Sequence, residues 1–345
     1  MMKIAIVGPA HPLRGGIAAF SERLALEYFR AGHQVTLFSY CLQYPKLLFP
    51  GKTQYTSDPP PEGFIINPVI NSINPLSWCK TVKDIKKLNP DLVLVMYWIP
   101  FMSPALGTIV KRIKRKLNVP VLAIVHNMIP HENKPFYNTL SRYFVRQVDG
   151  FIAMADAVNE DIKRFDNVKP KRASPHPIYD HYGKITPKQV ARRLLNIPPD
   201  RKTILFFGLV REYKGLDLLI KAMSHEAVRA LNVHLMVAGE FYVKKENYTD
   251  LIKDLHLQEV IRLDDHFIPN ESVAAYFNAS DLVALPYRTA TQSGVTQIAY
   301  HFNKPVLVTN VGGLAEIVPN RKAGFVVEKD PEEIASAIVE FYRND

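Results

Sequence analysis

Three short glycine-containing stretches carry the residue types that hold a phosphate. Gly15-Gly16 follows a basic residue and precedes Ile17, Phe20, Leu24 and Tyr28, which repeat at helical spacing. Two glycines let the backbone approach a ligand closely, and a helix N-terminus offers unpaired N–H groups with a partial positive charge. A tight turn with no ligand explains Gly-Gly alone equally well. The spacing is not G-x-G-x-x-G, which speaks against an NAD enzyme. In FFGLVREYKG, residues 206–215, Arg211 and Lys214 stand in a loop just before a helix start. Arg binds a diphosphate bidentately and Lys binds it as a point charge. Solvated loop charges are the plainer alternative. Ser293-Gly294 opens a third helix, running through Ile298, Ala299 and Phe302 to a stop at Asn303-Lys304-Pro305. One glycine-opened terminus from each half of the chain, with two cations, would hold a diphosphate and stabilise its departure without a metal. No His, Cys, Asp or Glu cluster has metal-ligand spacing, so no metal and no cofactor are expected.

The elements that must position these residues read as two successive α/β units. Lys3-Ile4-Ala5-Ile6-Val7 is a buried-type strand closed by Gly8-Pro9; a helix follows Gly16, and Val35-Thr36-Leu37-Phe38 is the next strand. This βαβ unit implies a parallel sheet covered on both faces. Further strands are expected at 91–96, 120–125 and 150–153. After a composition break over 174–200, read as the linker, strands follow at 203–207, 233–238, 282–285, 305–308 and 324–327, with helices at 216–223 and 331–342. Residues 41–63, rich in Pro, Gly and polar residues, read as an irregular insertion. Arg211 and Lys214 then fall at the carboxyl edge of a strand, where doubly wound sheets bind ligands.

Composition sets the frame. The chain has 345 residues, with 47% hydrophobic and 22% charged, enough for two ordinary cores. Its two cysteines, Cys41 and Cys79, make no disulfide framework. The N-terminus lacks the features of a signal peptide and no window approaches a membrane span, so a cytoplasmic protein is expected, or one peripheral to the inner membrane face. Residues 1–190 carry 25 Lys and Arg against 13 Asp and Glu, whereas 191–345 carry 18 against 20. The run Lys111-Arg112-Ile113-Lys114-Arg115-Lys116 concentrates part of that excess. A solvated helix end is the plainer alternative; no nucleic-acid reading motif accompanies the run, and an anionic membrane surface fits the basic half better.

Taken together, GPAHPLRGGIAAF…AGHQV, FFGLVREYKGLDLLIKAM, VAGEFY, ASDLVALPY and TQSGVTQIAYHFNKPVLVTNVGGLAEIV resemble glycosyltransferase family 4 over nearly the whole chain. The resemblance implies a GT-B fold: two Rossmann-like, doubly wound parallel-sheet domains facing across a cleft. Residues 1–180 would form the acceptor-binding domain and 181–345 the domain for a nucleotide-sugar donor. It implies a retaining transfer to a hydroxyl of a glycan or lipid-linked acceptor, in surface polysaccharide synthesis. His126, in VHNMIPHE, occupies the family's histidine position beside the transferred sugar; His131 and Glu132 follow it. Glu240 would lie near the nucleoside, with the Phe267-Ile268 backbone as a base contact, and Tyr97-Trp98 toward the acceptor. Many members carry two glutamates with seven residues between them; counted back from Lys304-Pro305 those positions are Ala290 and Ile298. Gln292-Ser293-Gly294 replaces them, marking a QSG variant in which Ser293, Gly294 and Gln297 meet the phosphates and ribose. The missing pair leaves a second reading open, a non-catalytic subunit of a membrane-associated polysaccharide assembly complex.

Overall fold

The uninterrupted apolar run Ile4-Ala5-Ile6-Val7 forms the centre of β1 (Lys3–Val7) and is buried throughout. Such a run suits only a strand covered on both faces. The computed structural model describes residues 1–49, 51–130 and 135–343. They divide into two units, Met1–Pro175 and His176–Asp345.

In the first unit β1 is joined by β2 (Gln34–Leu42), β3 (Ile65–Asn71), β4 (Leu92–Tyr97), β5 (Val121–Val125), β6 (Gly150–Ala153) and β7 (Lys171–Ala173). The order is β3-β2-β1-β4-β5-β6-β7, and every pairing is parallel. Helix Ser103–Lys116 buries Leu106, Ile109, Val110 and Ile113 at three- and four-residue spacing. It leaves the carboxyl end of β4 and returns to the amino end of β5, so its final turn, Lys114-Arg115-Lys116, lies at the amino edge of the sheet. There the cations favour the negative end of the helix dipole. Lys114 pairs with Asp149, and Arg112 Nη1 donates to Cys79 Sγ. The last turn of the basic run therefore lies about 17–20 Å, one strand length, from the carboxyl edge.

The second unit contains β8 (Lys202–Phe207), β9 (Val233–Ala238), β10 (Ile261–Asp264), β11 (Leu282–Leu285), β12 (Val306–Thr309) and β13 (Gly324–Val327). They are also all parallel, in the order β10-β9-β8-β11-β12-β13. Phe206, Leu219, Val237, Leu307 and Ile338 are among its fully buried side chains. Of the stretch read as a linker, residues from His176 onward pack on this unit. Helix Lys188–Leu194 is held there by buried Arg192, whose Nη2 meets Asp281 Oδ2 at 3.1 Å while the same oxygen accepts Thr203 N–H at 2.7 Å. Each unit thus repeats the order in which neighbouring strands switch direction of progression, between β1 and β4 and between β8 and β11. Ligands of doubly wound sheets sit outside the carboxyl ends at that point. No described helix is long and apolar enough to cross a membrane.

Candidate functional site

The switch point of the second unit is built from the loops after β8 and β11, and these are clamped together. Gly215 has φ +64°, and a Cβ there would lie 2.0 Å from the Pro286 carbonyl oxygen. Only glycine permits that approach and that backbone conformation together. Arg288 N–H donates to the Tyr213 carbonyl at 2.6 Å, and its guanidinium binds Asp217 through two bonds of 2.7 Å. Inside this clamp lies Lys214, only 8% exposed. Its ammonium faces the Tyr287 ring at 5.5 Å and comes within 3.0 Å of where a Gly208 Cβ would sit. Burial, and then the like charge of Arg211, pull its pKa from 10.5 down to about 7. Arg211 is half-buried with its guanidinium 5.2 Å from the centre of the Tyr242 ring. Such a cation gains most from an anion that neutralises it in place.

Helix Gly294–His301 begins at the same edge. Ser293 is its N-cap; its Oγ accepts the Val295 N–H at 3.2 Å and lies 3.4 Å from the Tyr287 hydroxyl. The hydroxyl expected to meet a phosphate therefore also satisfies the helix end. Gly294 presents its Cα to a ring: a Cβ there would lie 2.9 Å from Tyr179 Cε2. Tyr179 hydrogen-bonds His176 Nδ1 at 3.0 Å, and burial drives the His176 pKa down to about 4, keeping the imidazole neutral. Gln297 is buried one turn further in. Glu240, 2% exposed, follows the end of β9, and its carbonyl accepts the Val210 N–H at 2.9 Å. Ile268 is buried beyond β10. The strand ends of one unit thus carry Arg211, Lys214, Glu240, Ser293, Gly294 and Gln297. Tyr179, Tyr287 and Gly208 complete that edge; Gly208 and Tyr287 lie within FFGLVREYKG and ASDLVALPY without having been singled out, and Tyr179 lies in none of the motifs.

The first unit holds the remaining expected residues. Gly15, at φ +117°, precedes helix Gly16–Arg30, whose first turn has no side-chain cap. Nothing lies within 4 Å of where a Cβ on Gly15 or Gly16 would be, so the uncapped N–H groups are approachable. His126 directly follows β5, donates its N–H to the Tyr97 carbonyl at 2.8 Å, and packs edge-on against Phe20 of that helix at 4.8 Å. Tyr97 is a core residue, stacked on Phe144 with its hydroxyl bonded to Ser103 and Ser141. Trp98 instead donates its indole N–H to the Tyr44 hydroxyl at 2.9 Å. His131 and Glu132 lie outside the described residues. Glu22, also unmarked by motif, accepts the His11 N–H at 2.6 Å, and burial with Asp58 nearby pushes its pKa up to about 7.

Comparison with known proteins follows the same division. Residues 14–177 match the family model described as Glycosyltransferase Family 4, and residues 201–344 match that described as Glycosyl transferases group 1. D-inositol 3-phosphate glycosyltransferase of Thermobispora bispora is 24% identical over 271 residues, covering 72% of this chain but 62% of that protein's length. Sucrose-phosphate synthase from Thermosynechococcus elongatus superposes with TM-score 0.78 at 18% identity, over 100% of this chain and 90% of that one. Anabaena HepE in complex with UDP-glucose superposes with TM-score 0.71 at 17% identity, over 100% and 90%. Both likenesses show the fold.

Proposed function

The chain is of the family 4, GT-B glycosyltransferase type, and from that premise we propose that it transfers a sugar from a nucleotide-diphosphate donor to a glycan or lipid-linked hydroxyl. The observation that carries the reading is Lys214, a buried ammonium at the β8/β11 switch point that feels the like charge of Arg211. A diphosphate leaving group supplies the missing anion, and UDP-glucose in the Anabaena relative is a ligand of that class. Arg211 and Lys214 would balance the charge that develops on the leaving phosphate. The bond from the anomeric carbon to the phosphate oxygen breaks, the bond to the acceptor oxygen forms on the same face, and the acceptor proton passes to the departing phosphate. Retention rests on the family resemblance, as does a role in surface polysaccharide synthesis. The two cations serve where a metal would otherwise be needed. The second unit holds the donor, through Glu240, Ser293, Gly294 and Gln297 as well. In the first unit, His126 serves the transferred sugar, and the Gly15-Gly16 helix start offers its uncapped N–H groups to a phosphate.

One observation favours a non-catalytic subunit instead: Ala290 and Ile298, at the glutamate positions, are buried, and the Ala290 carbonyl lies against Gly312. Turnover separates the two readings. Purified protein should release nucleoside diphosphate from at least one of the UDP-, GDP- or ADP-sugars, and Lys214→Ala should lower kcat/KM by roughly 10²-fold. No release from any donor class, or full activity in a folded Lys214→Ala protein, would overturn the proposal.

A further inference from the structure

The loop after β2 exposes residues that water does not favour. Leu47 is 96% exposed and Leu48 54%, both in the short turn Lys46–Leu48. Phe49 follows and stacks on Tyr44 at 6.2 Å, and Tyr44 in turn stacks on Phe101 at 6.0 Å. Gln54 closes the neck of the loop: its Oε1 accepts from Gln43 and Tyr44 N–H, and its Nε2 donates to the Tyr44 carbonyl. The leucines therefore stand on a braced aromatic column. Exposed Lys46 and Lys52 flank them, and no Asp or Glu occurs from Cys41 to Ser57.

The loop is also pinned to the glycine loop of the first unit. Arg14 N–H donates to the Gln54 carbonyl at 3.0 Å, Arg14 Nε to the Thr53 carbonyl at 2.8 Å, and Thr56 N–H to the Pro12 carbonyl at 2.9 Å. It thus sits at the carboxyl edge with His126, whereas the basic run 111–116 ends at the amino edge.

The geometry points to the Lys46–Phe49 tip as an interfacial anchor that seats Leu47 and Leu48 in an anionic bilayer surface, with Lys46 and Lys52 at headgroup level. Two leucines and half an aromatic ring are far too little for a stable protein interface, which buries about 1,200 Å² or more in total. Apolar tips ringed by cations suit the headgroup boundary. The inference deepens the acceptor reading, since a membrane-seated acceptor edge fits a lipid-linked substrate, but the binding can be measured without sugar transfer.

The test is sedimentation of the full chain with phosphatidylcholine vesicles containing or lacking phosphatidylglycerol. Wild type should bind the anionic vesicles and lose binding as salt rises. Each methylene withdrawn from the interface weakens partition by roughly fourfold, so Leu47→Ser with Leu48→Ser should cut it more than tenfold. Lys46→Gln with Lys52→Gln should cut it by roughly 25-fold, at about fivefold per cation. Lys111→Gln with Arg115→Gln should change it less than roughly twofold, because those residues face elsewhere. Substitution at such exposed sites should leave the melting temperature unaltered, and the single Leu47→Ser variant repeats the test if the double variant melts early. Absence of wild-type binding, full binding by the leucine variants, or a dimer that those variants abolish would overturn the inference. Transfer to a soluble acceptor without vesicle binding would remove this anchor and leave the proposed function standing; vesicle binding without turnover would do the reverse.

Discussion

Lys214 is a buried cation whose charge costs the fold until an anion meets it. Its pKa of about 7 in the folded chain lies below the unfolded value of 10.5. Between those values the unfolded chain binds more protons, so this residue's contribution makes stability rise with pH across that window. Below pH 7 the whole penalty is present. A bound diphosphate raises the pKa again, so binding at pH 8 should take up close to one proton, and affinity should fall as pH rises above 7. Calorimetry with UDP, GDP and ADP in two buffers of different ionisation enthalpy reads this uptake directly. Lys214→Met should abolish it; buffer-independent heats in the wild type would mean that Lys214 does not meet the phosphates. Arg211 and Lys214 were marked in the sequence as two cations in a glycine-bounded loop after an apolar run; that Lys214 is buried there, and not solvated, only the fold shows. Tyr179 was not legible, since it reaches Gly294 from a distant segment and no local spacing announces the contact. Glu22 was hidden too: a lone glutamate in a helical pattern reads as surface, and only the fold turns it toward His11 N–H.

At the level of elements, strands were legible where both faces are buried. The expected runs at 3–7, 91–96, 120–125, 203–207, 233–238 and 282–285 correspond to β1, β4, β5, β8, β9 and β11, all interior to their sheets. The strands left unread, β3, β7 and β10, are sheet edges. β3 carries Pro68 and two asparagines, β7 has three residues with two cations, and β10 alternates apolar and charged residues. These edge strands are half-solvated and tolerate Pro, so they lack the continuous apolar run that betrays a central one. The edge strand β13 was legible at 324–327 because Phe325-Val326-Val327 keeps such a run. Helix starts were legible from glycine, but not what the glycines do. Gly215 joins two loops by close backbone approach, in a left-handed conformation. Gly215→Ala should therefore destabilise the protein by about 2–4 kcal/mol, combining strain at positive φ with displacement of Pro286. It should also weaken nucleoside diphosphate binding, because the clamp positions Lys214. Denaturant titration and calorimetry on one preparation would check both; a loss under about 0.5 kcal/mol would show that the loops separate at little cost.

The whole molecule is two similar sheets, each with its own core and its own switch point. The similarity was visible in the repeated strand–glycine–helix pattern; the proposed division of labour rests on the asymmetric charge and on where the candidate phosphate-binding residues fall. Arg211, Lys214, Glu240, Ser293, Gly294 and Gln297 all belong to the second unit, and so do the Tyr179–His176 brace and the Arg192–Asp281 pair. A cut between Pro175 and His176 leaves β7 with the first sheet and all of these with the second. Units of this size bury enough surface to fold alone. Residues 176–345 expressed alone should therefore unfold cooperatively and bind a nucleoside diphosphate within roughly tenfold of the full chain's affinity, a difference of about 1.4 kcal/mol. Residues 1–175 should fold and show no measurable affinity, because their uncapped Gly15-Gly16 helix start carries no buried cation. Thermal melts and calorimetry on the two fragments decide the matter. If fragment 176–345 folds but binds more than about a hundredfold more weakly, the first unit's glycines hold a substantial share of the diphosphate. The donor would then have to be assigned to both units, and Lys214 would be one contributor among several.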